Sequence, residues 1–230
     1  MDYFLAAGLA ALRLIVSCDA EVWRIVTTSL LISLSAVVVA ALPGIVLGVA
    51  TAMWRFPGRP IVRHALNALM AVPTVVVGLV LYGLLSRQGP LGEYGLLFTP
   101  SGMVVGQAVL VLPIIWNLVI TAVESTDPRL ALTCRLLGAS AIQQACLFVS
   151  EARIAILAAI VMAFGRAIGE VGVAMMLGGN IAGYTRIMTT AIALETSKGE
   201  FELALALGVL LLAVALLVNG ALGMLARPRR

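Results

Sequence analysis

Charge is what this chain has least of. Asp, Glu, Lys and Arg make up 11% of its 230 residues, against 62% hydrophobic ones, and the mean hydropathy is +1.10. So few polar groups cannot cover a soluble domain of this size, and the composition points to a polytopic membrane protein. Few residues remain for loops, which leaves no room among them for an extramembrane domain. The net charge of +4 is small and gathered in a few loops, so it bears on topology rather than on nucleic acid. The single histidine, His64, cannot build a metal site and reads as an interfacial residue. Cys18, Cys134 and Cys146 lack metal-ligand spacing. There is no Gly-x-x-x-x-Gly-Lys-Ser/Thr sequence, so the chain cannot hydrolyse ATP alone. Gly-x-Ser-x-Gly, a His/Cys cluster and paired carboxylates within a span are also missing, and nothing calls for a cofactor or a metal.

What is present is apolar sequence in long runs. The fold class expected is an all-α transmembrane bundle of about five spans. Residues 1–20 hold a short apolar run broken by Arg13, and predict an interfacial helix, with a signal peptide as the alternative. The transmembrane domain is expected over 21–226, with a cytoplasmic tail at 227–230. Its spans fall at 25–53, 64–86, 101–123, 154–178 and 203–225. The first carries Gly44 and Gly48 at the spacing that lets helix backbones approach closely in lipid. Prolines 43, 73 and 113 lie inside spans, and neighbours can satisfy the carbonyls they free. Residues 179–202 read as a polar connector.

One stretch differs. Residues 127–153 read as a soluble amphipathic structure between two very apolar segments. Asp127-Pro128 is a helix start, with a side-chain acceptor and a proline whose missing N–H costs nothing. Leu130, Cys134 and Leu137 repeat at helical spacing, and Gly138 can take the left-handed conformation that ends a helix. Ser140 and Gln143 form a capping box for a second helix, on which Ile142, Ala145, Cys146 and Val149 share a face. Such a hairpin cannot hide its apolar stripe alone, and a groove on another protein is the usual remedy.

Five spans put the termini on opposite sides. The side with loop 55–63, the hairpin and the tail carries nine arginines: 55, 59, 63, 129, 135, 153, 227, 229 and 230. The other carries Arg13, Arg24, Arg87, Arg186 and Lys198. The positive-inside rule then places the hairpin and C-terminus in the cytoplasm and the N-terminus outside. A disulfide between Cys134 and Cys146 is not expected to persist there.

Aligned on Gly138, the hairpin resembles the coupling loop of ABC importer permeases: Leu132-Thr133-Cys134 takes the place of the family's opening triplet, and the Gly138-Ala139-Ser140 turn matches. Gly165-Arg-Ala-Ile-Gly-Glu170-Val-Gly172, continuing to Asn180, resembles the following span of oxyanion permeases for molybdate, tungstate and sulfate. The stretch Thr189 to Phe201 is similar to the tungstate-type branch. The resemblance covers about 20–225. It implies a homodimeric channel in the plasma membrane of a prokaryote, two ATP-binding subunits, and an external oxyanion-binding protein that is periplasmic or a lipoprotein. Leu132, Cys134, Leu137, Gly138, Ala139, Ser140 and Ile142 would then meet the ATPase. The competing class, a secondary carrier or scaffold acting without ATP, should show an internal repeat, and none is evident.

Two groups of residues admit both a functional and a structural reading. Arg166 and Glu170 are four apart and can pair on one helix face. Arg166 could lend positive potential to a dianion pathway; alternatively the pair neutralises itself and fixes packing or the dimer seam. The second reading is favoured on two grounds: an exposed Glu170 would repel an oxyanion, and Gly165 and Gly169 repeat the close-packing spacing. Arg186, Thr189 and Thr190, in the external connector, offer donors to oxyanion oxygens or to the binding protein. A solvated loop with helix caps is the bland alternative. Asn180, after Gly178-Gly179, reads as a helix end first and a ligand contact second.

Overall fold

The computed structural model describes residues 8–9, 20–54 and 56–225, and among them the regular structure is entirely helical. The expected interfacial helix over 1–20 and the tail at 227–230 lie outside the described residues, except for Gly8, Leu9 and Ala20. The helices are α1 (Ala20–Met53), α2 (Arg59–Ala71), α3 (Thr74–Leu85), α4 (Pro100–Glu124), α5 (Pro128–Leu136), α6 (Ala141–Glu151), α7 (Arg153–Ile168), α8 (Gly172–Gly178), α9 (Met188–Lys198) and α10 (Phe201–Leu225). A single 3-10 turn, Gly92–Tyr94, lies between α3 and α4.

α1, α4 and the Phe201–Ala221 part of α10 are each long and apolar enough to cross a membrane. α1 and α4 form the spine of the bundle. They run side by side in the same direction, Gly44 against Ile115 and Gly48 against Val119. A Cβ at Gly48 would lie 2.7 Å from the Val119 side chain and 3.0 Å from the Trp116 carbonyl oxygen. Without a side chain the backbones approach, and van der Waals contact replaces the hydrophobic driving force that lipid removes. Trp116 Nε1 donates to Thr51 Oγ1 at 3.0 Å along the same seam.

Two expected spans are corrected. The 64–86 span is broken at Val72-Pro73, where α2 and α3 meet at 97°. Proline cannot donate to the ladder, and it pushes the residue before it out of helical space; Val72 has ψ 131°. The 154–178 span is interrupted after Ile168, and α8 resumes at Gly172. α6 and α7 instead make a bent pair at 70°, joined at Ala152. With each bent pair taken as one crossing, the bundle has up to five spans.

The expected polar connector over 179–202 is also corrected, because α9 takes up its 188–198 stretch. α8 climbs away from the hairpin against α4, Val173 meeting Gly106 and Gly178 meeting Met103. Residues 179–187 fold back until the Met188 N–H donates to Ser29 Oγ, 2.8 Å, inside α1. α9 then climbs again, and α10 descends.

Candidate functional site

The hairpin forms as its capping residues dictate. Asp127 Oδ1 accepts the Arg129 N–H at 2.8 Å. α5 ends where Gly138 takes φ 69°, and the Ala139 N–H closes onto the Cys134 carbonyl at 2.9 Å. The Ser140 N–H donates to Gln143 Oε1, and the Gln143 N–H to Ser140 Oγ. The faces differ from the simple apolar stripe. Cys134 and Phe148 are buried, whereas Leu136, Leu137 and Ile142 are 79%, 80% and 77% exposed, and Leu132 and Cys146 are exposed too. Leu137 therefore leaves the face that Leu130 and buried Cys134 share, whereas Ile142, Ala145, Cys146 and Val149 do share one face of α6, which stays only partly covered. The tip of the hairpin is an apolar knob that no described residue covers. Beside it, Ile142, Ala145, Cys146 and Val149 of α6 face Val46, Val49 and Met53 of α1 across a cavity of about 500 Å³.

The hairpin is wired to the spans on both sides. Ser125–Asp127 joins it to α4, and Ala152 joins it to α7. At the foot of α4, Glu124 holds Arg59, and its Oε2 lies 2.8 Å from Arg63 Nη1. Arg59 Nη2 also donates to the Ala52 carbonyl at 3.2 Å, so the ends of α1, α2 and α4 are tied together. Sequence reading missed this clamp; its only signal was a glutamate closing one span opposite a basic loop.

The second region is the break between α7 and α8. Glu170 is 2% exposed. Its Oε2 accepts from Arg166 Nη1 at 2.6 Å, and its Oε1 accepts the Val173 N–H at 3.1 Å, which caps the first turn of α8. Thr189 Oγ1 donates to the Glu170 carbonyl at 2.7 Å. Thr190 Oγ1 accepts the Ile187 N–H at 3.0 Å and starts α9. Thr189 and Thr190 are buried, so the expected external-loop contacts are instead structural hydrogen bonds at the level of the break. Thr185 hydrogen-bonds the Gly178 carbonyl, and its Oγ1 accepts the Ile181 N–H.

Arg186 pairs with Glu21 at 3.4 Å, tying the returning loop to the start of α1. Asn180 has φ 51° after left-handed Gly179, which makes it a helix end as read. Gly165 and Gly169 are exposed, and nothing among the described residues packs tightly on them: a Cβ at Gly165 would come no closer than 3.5 Å to Asn219. The structure brings Arg166, Glu170 and Thr189 together and leaves Asn180 and Arg186 toward the far end. Gln107 of α4 was not singled out in the sequence. It is wholly buried, and neither polar atom of its amide finds a partner among the described residues. An amide inside an apolar run was the visible signal. Among the described residues no group of three or more His, Cys, Asp or Glu could hold a metal ion.

The chain is 37% identical over 219 residues to the tungstate uptake system permease protein of Peptoclostridium acidaminophilum, covering 95% of this chain and 96% of that one. It is 41% identical over 210 residues to a probable anion ABC transporter permease protein of Haloferax volcanii, covering 89% and 90%. With the molybdenum transport system permease protein of Escherichia coli it shares 29% over 219 residues, covering 90% and 96%. Residues 44–230 match the family described as binding-protein-dependent transport system inner membrane component, and this multi-pass chain belongs to that family.

Proposed function

We propose that this chain is the transport subunit, not an enzyme, of an ATP-driven importer whose cargo is a tetrahedral oxyanion, tungstate first among them. Two copies form the pathway, two ATP-binding subunits sit on the cytoplasmic hairpins, and an external binding protein delivers the anion. The N-terminus lies outside and the C-terminus inside, as the basic residues indicate. Molybdate and sulfate are the alternative cargoes. Tungstate and molybdate are tetrahedral dianions of nearly equal size, so selection between them rests on the binding protein.

The observation that carries this reading is the uncovered apolar knob of Leu136, Leu137 and Ile142, held on a capped hairpin between two spans. An apolar helix surface of this kind is a groove filler. A push on it travels through Ala152 into α7, and through α4 to the Glu124 clamp on α2. Closure of the ATPase pair thereby reaches both broken spans and turns the pathway from inward- to outward-facing.

In vesicles, tungstate accumulates when the chain is reconstituted with its ATPase, binding protein and ATP, and not when it is alone. Uphill accumulation by the chain alone would sink the reading. The hairpin contact has its own test. Gly138 holds φ 69°, which proline cannot adopt, and a Cβ there meets nothing within 4 Å. Gly138→Pro therefore abolishes co-purification of the ATPase while membrane insertion persists; survival of the pull-down would exclude the hairpin as the contact.

A further inference from the structure

Glu170 is buried, and this removes the objection to a pathway role for its partner. We infer that Arg166 is an anion-binding residue, presenting its guanidinium to a divalent tetrahedral oxyanion in transit, with Glu170 as the positioning residue behind it. The inference rests on the oxyanion reading above.

The pair is lopsided. The Arg166 side chain is 41% exposed and that of Glu170 is 2% exposed. Both carboxylate oxygens are engaged, one by Arg166 Nη1 and one by the Val173 N–H, and Thr189 fixes the carbonyl of the same residue. The negative charge is thus capped and covered. The guanidinium has five N–H donors in a fixed fork and gives one nitrogen to Glu170; it has no second partner among the described residues. An anion bonded to the open side of that fork lies nearer the positive group than the carboxylate behind it, and Coulomb energy falls with distance. Two parallel bonds to two oxygens of a tetrahedral anion suit this fork.

Depth excludes a lipid-facing role. Arg166 lies 13 residues beyond Arg153, about 20 Å along α7 from the hairpin. The break beside it is at the level of Ser29, about 14 Å from the far end of α1. A half-exposed guanidinium at that depth must face water or another polar group, because hydrocarbon would be costly. Exposed Gly165 and Gly169 flank it, and neither has a side chain that could shade it. No other acidic residue of the described chain lies within the middle of a helix at this depth. Glu21, Glu124, Glu151, Glu195, Glu200 and Glu202 all sit near helix ends. Among the described residues the open side of the fork therefore has no second carboxylate to serve.

The test uses the complete complex in vesicles, with Cys18, Cys134 and Cys146 replaced by serine. Gly169→Cys, which keeps Arg166 and has room for a Cβ beside it, is exposed to a small anionic thiol reagent, with and without tungstate. Modification from water, slowed at least about threefold by tungstate, is expected for a group on the anion's path. In parallel, Arg166→Gln cuts tungstate uptake at least about tenfold and Arg166→Lys cuts it less, since lysine keeps the charge without the fork. The exchange of both charges, Arg166→Glu with Glu170→Arg, also cuts uptake about tenfold, although the complex still co-purifies with its ATPase.

An exchange variant that keeps uptake within about twofold would show a merely structural pair and overturn the inference. So would a Gly169→Cys thiol that the water-borne reagent never reaches, which would mean that a second copy covers this face. Modification that tungstate does not slow overturns it as well. If the unsubstituted complex moves neither tungstate, molybdate nor sulfate, the oxyanion reading falls and takes this inference with it. Normal uptake with insensitive variants overturns this inference alone.

Discussion

The α1–α4 seam and the α7–α9 break are both buried in the same apolar bundle, yet they are held by opposite means. Along the seam, Gly44 and Gly48 admit Ile115 and Val119, and most of the contact is between carbon atoms. Around the break, Ser29, Glu170, Thr185, Thr189 and Thr190 are all buried, and each is hydrogen-bonded. Close packing is rigid and unforgiving of volume. A chain that breaks its helix must satisfy each freed backbone group one at a time, and it can rearrange by exchanging partners. The seam reads as scaffold and the break as the part able to change shape.

The seam should be the more sensitive to added volume. Gly48→Leu would drive its Cβ to within 2.7 Å of Val119, with the Trp116 carbonyl only 3.0 Å away. Backbone cannot yield as a side chain tip can, so the loss should be about 3 kcal/mol, or a Tm lower by roughly 10 °C for the purified protein. An unchanged Tm would mean that α1 and α4 slide past each other, and the distinction between the two regions would collapse.

The same contrast decides what could be read from sequence. The seam was legible because close packing in lipid needs small residues at a fixed period, and Gly44, Gly48 and the long apolar runs show that period. The hairpin was legible because capping is local: Asp127, Gly138, Ser140 and Gln143 each act within a few residues. Its exposed faces were not, since whether Leu137 or Ile142 is covered depends on α1, about a hundred residues away. The break was hidden for a different reason. Apolar sequence continues on both sides of Arg166 and Glu170, and those two charges do not themselves say where a helix stops; the hydrogen bonds from Val173 and Thr189 to Glu170 do. Thr189 and Thr190 looked like loop donors because composition cannot distinguish a solvated hydroxyl from one that satisfies a buried carbonyl.

If the break is held by single hydrogen bonds, each should have a modest and separable effect. Thr189→Val keeps the shape and removes the 2.7 Å bond to the Glu170 carbonyl. The expected cost is about 1 kcal/mol, or a Tm lower by roughly 3 °C, well below that of Gly48→Leu. A cost as large as that of the glycine change would mean that the break is packed as rigidly as the seam. The hydrogen-bond argument for its mobility would then fail.

Gln107 gives the smallest effect and the sharpest test, because it belongs to α4 by position and to the break by chemistry. It is fully buried between Met103 and Val111 on the same helix, and its amide has no partner among the described residues. A buried amide without partners carries a desolvation cost that an apolar side chain of similar size does not. Gln107→Leu should therefore leave thermal stability within about 0.5 kcal/mol of the unsubstituted protein, or raise it. Stability measured by thermal melt and ATP-driven uptake measured in vesicles can then be set against each other. If both are unchanged, the seam is scaffold throughout and the amide is dispensable. If stability holds while uptake falls, the amide acquires its partner in another conformation of the cycle, and α4 moves against α8 across Gly106. A destabilised variant would mean that the amide is already bonded at rest, and the seam would share the polar logic of the break.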